Sequence, residues 1–239
     1  MKKSDNFLRI SLAVIFLGLG AWYALKFGAP NILKLYIRTG IGDCRKIPLL
    51  CMSPAEKIVV NQINKECLRE SLPYSFSKIK ICLPRGFNVT YELTRKAYYK
   101  KKISKRNDSF AYLLYEEPRF FIELFPQAKR AGVNNNYDFI KRVMYAKIED
   151  IKGINDAFFV IMKSIFIPDM GDQRQMKMVE LKIGDKKGFL NYNIGKGEDF
   201  FECDLVNDKD EFFKIYIKDK TGQLNLEKVI ALISSMGRP

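Results

Sequence analysis

The sequence contains no histidine among its 239 residues. This absence excludes catalytic triads with an imidazole base, HExxH zinc sites and histidine-ligated haem. The sequence also lacks a P-loop and any CxxC pair, which argues against Walker-type nucleotide binding, CxxC zinc or iron–sulfur sites and thioredoxin chemistry. We find no internal repeat and no low-complexity segment. The sequence therefore predicts a chain without a cofactor, and none of its motifs indicates an enzyme.

Charged residues are also missing from residues 10–25, an uninterrupted apolar run bracketed by Arg9 and Lys26. With its apolar neighbours the run reaches about 20 residues, the length of a membrane-spanning helix. The small residues that could form a cleavage site lie inside the run, so the pattern favours an uncleaved signal-anchor over a signal peptide or a buried helix. The predicted anchor residues are Phe7, Ile10, Leu12, Val14, Ile15, Phe16, Leu17, Leu19, Trp22, Tyr23 and Leu25.

Two signals in the sequence favour opposite orientations of this anchor. Basic residues flank both ends of the run and slightly favour a cytoplasmic C-terminal domain. The cysteine content instead favours an oxidising compartment. We expect a single-pass membrane protein whose C-terminal domain is extracytoplasmic.

The net charge of +14 is concentrated in two places. Residues 107–239 are nearly neutral, with 20 basic and 21 acidic residues, whereas the first 52 residues and the segment 78–106 are strongly basic. The densest part is predicted to be a solvated hairpin loop between two strands, with contact to anionic lipid or to a polyanion as alternatives. This local excess argues against nucleic acid as the main partner. The basic loop residues are Arg95, Lys96, Lys100, Lys101, Lys102, Lys105 and Arg106.

The patterning divides the chain into an anchor (1–27), a membrane-proximal stem (28–52) and a single domain (53–239). The domain is predicted to open with a capped helix, because Ser53-Pro54-Ala55-Glu56 forms a capping box. Asn136 and Asn225 are predicted to cap two further helices. Predicted strands, several with alternating apolar residues, cover 79–83, 87–93, 110–115, 119–125, 157–167, 176–183, 189–194, 200–206 and 212–218. The predicted fold class is α+β, with a transmembrane helix followed by a largely antiparallel sheet of about seven strands covered by helices.

Leu83-Pro84-Arg85-Gly86-Phe87 resembles the P-x-G-W/F opening of PsbP/Mog1-like α/β/α sandwich domains. The middle helix, the hairpin meander and the terminal helix of residues 79–236 also follow a similar order. The resemblance implies an accessory or interaction domain, commonly exported in bacteria, and it implies no functional residues.

Two groups of side chains could still carry chemistry. Four cysteines are candidates for disulfides, Cys44, Cys51, Cys67 and Cys82, while Cys203 is predicted to be buried and free. Carboxylates in predicted loops could bind a cation or move protons, although acidic loop residues are usually solvated. These carboxylates are Glu116, Glu117, Asp169, Asp172, Glu198 and Asp199.

We therefore expect a non-catalytic, membrane-anchored accessory or interaction domain with a protein partner. Two alternatives remain open at this point. The first is a module that binds anionic lipid or a polyanion through residues 95–106. The second is an enzyme that uses carboxylates or a bound cation.

Overall fold

The computed structural model describes residues 28–60, 71–76, 79–93, 95–104, 107–167, 175–194, 199–222 and 224–236. Within these residues the strands are β1 (Glu56–Val60), β2 (Ser71–Phe76), β3 (Ile79–Pro84), β4 (Asn88–Leu93), β5 (Lys96–Ser104), β6 (Asn107–Glu116), β7 (Lys177–Ile183), β8 (Lys186–Ile194), β9 (Asp199–Val206) and β10 (Phe212–Asp219). The helices are α1 (Ala29–Gly40), α2 (Phe120–Leu124), α3 (Pro126–Arg130), α4 (Asn136–Tyr145), α5 (Ile154–Phe166) and α6 (Leu226–Ser234). Short 3₁₀ turns cover Pro48–Cys51 and Ile148–Asp150.

Eight of the strands form one mixed sheet in the order β1-β7-β8-β9-β10-β6-β5-β4. The β1–β7 pair is parallel and all other neighbours are antiparallel. Two meanders build the sheet, β4-β5-β6 and β7-β8-β9-β10, and they join where β10 pairs with β6. The prediction of an α+β fold is confirmed, whereas the sheet is mixed and has one strand more than expected.

Each face of the sheet has its own core. One face packs against α6 and the separate β2–β3 hairpin, with Leu113, Leu190 and Ile215 among its buried residues. The other face packs against α2 to α5, with Phe139, Phe189 and Phe212 at its centre. Such two-sided burial explains why every residue of β9 is buried.

The hairpin predicted around residues 184–188 is confirmed. Gly184 and Asp185 form the two-residue turn between β7 and β8, and Gly184 has a φ of 55°. This backbone conformation favours glycine in a tight hairpin turn. The strands predicted at 79–83, 87–93, 110–115, 200–206 and 212–218 are confirmed as well.

The helix predicted to start at Ser53 is wrong over the residues that the structure describes. Residues Glu56–Val60 form β1, which pairs in parallel with Val179–Ile183 of β7. The run Ile58-Val59-Val60 is β-branched and therefore favours a strand. Hydrogen bonding to the edge of β7 therefore determines the conformation of this segment, and the capping box does not. Residues 61–70 of the predicted helix lie outside the described residues.

The strand predicted at 157–167 is helix α5, and the strand predicted at 119–125 is helix α2. The apolar run at 157–167 is longer than most strands and has the length of a helix. α5 contacts two clusters at once, with Phe159 and Met162 facing the sheet core and Val160 facing a smaller cluster near α1. Burial on two sides removes the one-sided periodicity that identifies a helix in a sequence.

The predicted stem packs onto the domain instead of standing apart from it. Ile37 of α1 is buried with Leu50, Ile148 and Val160 in the smaller cluster. Leu49 belongs to the main core beneath α4. Residues on both sides of position 52 therefore contribute to the same clusters.

No helix among the residues that the structure describes is long and apolar enough to cross a membrane. This finding contradicts the predicted transmembrane fold and the single-pass, signal-anchor and extracytoplasmic assignments that depend on it. The apolar run at 10–25 itself lies outside the described residues.

Candidate functional site

Residues Lys96–Ser104 of the basic segment form strand β5 of the main sheet, so the predicted solvated loop is wrong over these residues. β5 pairs antiparallel with β4 on one side and with β6 on the other. Ala97 of β5 is completely buried. The lysines Lys96, Lys100, Lys101 and Lys102 lie on this strand, while Lys105 and Arg106 lie outside the described residues.

β5 and β6 extend beyond the strands on either side of them. The β4 pairing ends with Asn88 opposite Lys100, and the β10 pairing ends with Lys218 opposite Phe110. Residues 101–104 and 107–108 continue as a two-stranded ribbon that pairs with no other described strand. The sequence over residues 100–106 is rich in lysine and arginine.

β4 forms one outer edge of the sheet. No strand within the described ranges pairs with its outer side. Val89 and Leu93 on this strand are 51% and 63% exposed. An exposed strand edge carries main-chain hydrogen-bonding groups that can pair with an added strand. The β4 edge thus combines main-chain groups, exposed apolar side chains and a basic neighbouring strand.

The predicted carboxylate pair at residues 116 and 117 faces an arginine. Arg95 Nη1 lies 3.4 Å from Glu116 Oε2, and Arg95 Nη2 lies 3.9 Å from Glu117 Oε1. Burial raises the pKa of Glu116, against the opposing effect of Arg95 and Lys96. Arg95, the residue before β5, therefore forms ion pairs with both carboxylates.

A cluster of ionisable side chains lies at the centre of the sheet, on the face beneath the helices. Lys214 of β10 forms an ion pair with Glu202 and approaches Asp204 at 3.5 Å, and both carboxylates belong to β9. The ammonium group also donates to the carbonyl oxygen of Phe166 at 2.8 Å. Glu202 and Asp204 have no solvent exposure. We call Glu202, Asp204 and Lys214 the charge cluster.

Burial changes the protonation of the charge cluster. It raises the pKa of Glu202 to about 8, with Lys214 opposing the rise and Asp204 adding to it. Burial likewise raises the pKa of Asp204 against the attraction of Lys214. Burial alone would lower the pKa of Lys214, but the two carboxylates outweigh it and raise that pKa. The buried ammonium group therefore faces two carboxyl groups, of which Glu202 retains its proton near neutral pH.

No pattern in the sequence indicates the charge cluster directly. Along β9, Glu202 and Asp204 alternate with Phe201, Cys203 and Leu205, a pattern that normally marks one solvated and one buried face. The signal that could have identified the cluster is Lys214, which stands opposite Asp204 and lies between Phe213 and Ile215.

Lys163 is a second buried cation, on α5. Its ammonium donates to the carbonyl oxygens of Met52 at 2.6 Å, Met144 at 2.8 Å and Ala146 at 3.0 Å. Burial and the nearby charge of Lys147 lower the pKa of Lys163 to about 7. Three acceptors match the three donors of an ammonium group. Lys163 thereby joins α5 to the end of α4 and to the segment before β1.

The cysteines fall into different environments. Cys44 and Cys51 form a disulfide, and Glu149 Oε1 lies 3.5 Å and 3.1 Å from their sulfur atoms. Cys82 is also disulfide-bonded, and Cys67 lies outside the described residues. Cys203 is free and buried, as the sequence predicts, and burial raises its pKa well above the usual value.

Of the predicted loop carboxylates beyond the pair at 116 and 117, the structure describes Asp199. Asp169, Asp172 and Glu198 lie outside the described residues. Asp199 is buried at the start of β9, where it stands opposite Asp219 of β10.

Comparison with known proteins leaves these sites without an assigned role. No protein-family model matches the chain, and no curated protein matches it.

Proposed function

We propose that this protein is a non-catalytic interaction domain that binds an extended, acidic segment of a partner protein along the β4 edge. The observation that carries the proposal is the position of β4 as an outer strand beside the lysine-rich β5. A partner segment would add as a further strand, which is a common mode of peptide recognition.

Charge supports an acidic partner at this edge. Seven of the twelve residues from Arg95 to Arg106 are basic, whereas residues 107–239 are nearly neutral. The opposite outer strand, β1, has the sequence EKIVV and lacks such an excess. Complementary charge speeds association and selects among partners that can all supply main-chain hydrogen bonds.

Apolar exposure supports a protein partner over nucleic acid or lipid headgroups. Val89 and Leu93 are aliphatic, and they lie opposite Tyr99 and Lys96 of β5 on the two faces of the sheet. A partner strand can therefore contact them with side chains from both of its faces. Phosphate backbones offer no comparable apolar contact, and basic residues alone would suffice to bind them.

A direct test uses a fluorescent ten-residue peptide of alternating valine and glutamate and measures anisotropy on titration with the full chain. We expect binding that weakens with added salt, while a valine–lysine peptide does not bind. The triple change Lys100→Glu, Lys101→Glu and Lys102→Glu should abolish binding. The matched control Lys177→Glu, Lys182→Glu and Lys209→Glu changes the net charge equally at exposed lysines elsewhere and should bind as the wild type does.

A second pair of variants separates a protein partner from other polyanions. Val89→Ser with Leu93→Ser should weaken peptide binding, and it should leave binding of a single-stranded DNA oligonucleotide or of anionic vesicles unchanged. The proposal is overturned if DNA or vesicles bind more tightly than the peptide, or if the serine variants bind the peptide as well as the wild type does.

A further inference from the structure

Two sulfur atoms and a carboxylate oxygen converge on one point of the surface. Cys44 Sγ, Cys51 Sγ and Glu149 Oε1 all lie within 4.8 Å of one another. The carboxylate oxygen is 3.5 Å from the first sulfur and 3.1 Å from the second. The cysteines are half-buried and the glutamate is exposed, so a small ion can reach all three atoms.

The segments that carry these residues are held in place by more than the disulfide. Leu49 and Leu50 in the 3₁₀ turn before Cys51 are buried, and so is Ile148 beside Glu149. Lys34 of α1 donates to the main-chain carbonyl oxygen of Glu149 at 2.6 Å. The side chain of Asp43 accepts from the backbone N–H of Lys46 at 3.0 Å and shapes the loop that contains Cys44. The sulfur atoms should therefore remain neighbours after the disulfide is reduced.

Reduction turns the pair into a metal-binding donor set. A dithiol such as dithiothreitol gives two electrons and two protons to the Cys44–Cys51 bond, which becomes two thiols while the reductant becomes a cyclic disulfide. Zn²⁺ can then replace the two thiol protons, which leave to solvent as two zinc–sulfur bonds form. Thiolates suit zinc, and a carboxylate oxygen is a regular third ligand. The fourth position of a tetrahedral site is left to water.

The surrounding charge favours this arrangement. Two thiolates and one carboxylate carry three negative charges, so a divalent ion leaves a residual charge of about −1 at the site. The ammonium group of Lys34, held against the Glu149 backbone, supplies a neighbouring positive charge.

We propose that the reduced protein binds one Zn²⁺ through Cys44, Cys51 and Glu149, and that the disulfide and the metal are mutually exclusive states of the same site. The site then links metal binding to thiol redox state. This inference does not depend on the proposed interaction at β4.

The test compares the full chain before and after reduction with dithiothreitol, once the reductant has been removed under argon. Zn²⁺ affinity is measured by competition with a chromophoric chelator, and Co²⁺ is added separately to detect thiolate-to-cobalt charge transfer. We expect one tight site in the reduced chain and none in the oxidised chain. Glu149→Gln should weaken Zn²⁺ binding by about tenfold or more. The adjacent exposed carboxylate provides the control, because Asp150→Asn should leave the affinity unchanged.

Cys44→Ser with Cys51→Ser locates the sulfur ligands, because reduction also opens the disulfide of Cys82. This variant should lose the tight site and the charge-transfer band. If the serine variant does not fold, Glu149→Gln serves the same purpose, because this carboxylate lies beside the sulfur atoms of Cys44 and Cys51. Equal Zn²⁺ affinity in the oxidised and reduced chains, or in the serine variant and the reduced wild type, would overturn the proposal. So would an affinity unaffected by Glu149→Gln.

Discussion

Asn136 and Asp210 are joined by two hydrogen bonds that connect the start of α4 to the turn between β9 and β10. The backbone N–H of Asn136 donates to Asp210 Oδ1 at 2.8 Å, and Asn136 Nδ2 donates to the carbonyl oxygen of Asp210 at 2.7 Å. The second carboxylate oxygen of Asp210 accepts from the backbone N–H of Arg119 at 2.9 Å. One turn aspartate therefore fixes the position of two helices on the sheet.

Replacing Asn136 with alanine should cost more stability than removing the true helix cap. The side chain is buried and also bonds Glu117 and Phe121, so alanine removes three hydrogen bonds from a buried site. Losing each such bond costs about 1–3 kcal/mol, and we expect a loss of about 3 kcal/mol or more. The cap itself is Asn135, and Asn135→Ala should cost about 1 kcal/mol. Urea unfolding at pH 7 measures both, and equal losses would contradict this ranking.

Glu202→Gln should change how stability depends on pH. The pKa of Glu202 is about 8 in the folded protein and about 4.5 in the unfolded chain, so the folded state binds the extra proton between these values. Wild-type stability should therefore fall as pH rises through this window. Relative to the wild type, the variant should gain stability on the order of 2–3 kcal/mol between pH 5 and pH 7.

The matched control for this measurement is Glu227→Gln, an exposed glutamate on α6. It should follow the wild-type pH profile at every point. Parallel profiles for Glu202→Gln and the wild type would show that the charge cluster does not hold the additional proton.

Lys163→Met should destabilise the protein strongly although methionine fits an apolar environment. The substitution removes the donor for the carbonyl oxygens of Met52, Met144 and Ala146. Unsatisfied buried acceptors cost about 1–3 kcal/mol each, so we expect a loss of about 3 kcal/mol or more in thermal or urea unfolding. Lys141→Met on the exposed side of α4 should change the stability by less than about 0.5 kcal/mol. If Lys163→Met left the stability unchanged, other groups would have to hold the three segments together.

Gly188→Ala should destabilise the sheet through a steric clash between strands. A Cβ atom at this position would collide with the main-chain carbonyl of Asp204 on β9. The strands must separate locally, and overpacking of this kind costs about 1–3 kcal/mol. Gly40→Ala is the control, because nothing lies within 4 Å of the added atom. Unfolding midpoints that agree for both alanine variants would contradict the close approach of β8 and β9.

The parts of the fold that were predictable are those where local pattern and tertiary environment agree. Alternation along β10 and the turn at Gly184 indicate antiparallel hairpins without knowledge of the rest of the sheet. Asn225 caps α6 as predicted, with its side chain accepting from the backbone N–H of Lys228 at 2.8 Å. The helix near residue 136 was also predictable, although its cap lies one residue earlier, at Asn135.

The predictions failed where distant segments decide the local structure. β1 becomes a strand because β7 offers an edge more than 100 residues away along the chain. α5 loses its periodic pattern because two cores cover it. The charge cluster resembles a solvated strand face until α5 covers it, and the sulfur atoms of Cys44 and Cys51 meet Glu149 only through the packed fold.

The pairing of β10 with β6 sets an order of events during synthesis. β6 is complete when residue 116 leaves the ribosome, but its partner β10 follows about 100 residues later. Until then the first meander keeps an open edge on the side of β6. Contacts between segments so far apart in the chain form slowly. The nascent chain therefore presents an unpaired edge of β6 to which a chaperone can bind. This edge is covered once β10 has been synthesised and pairs with it.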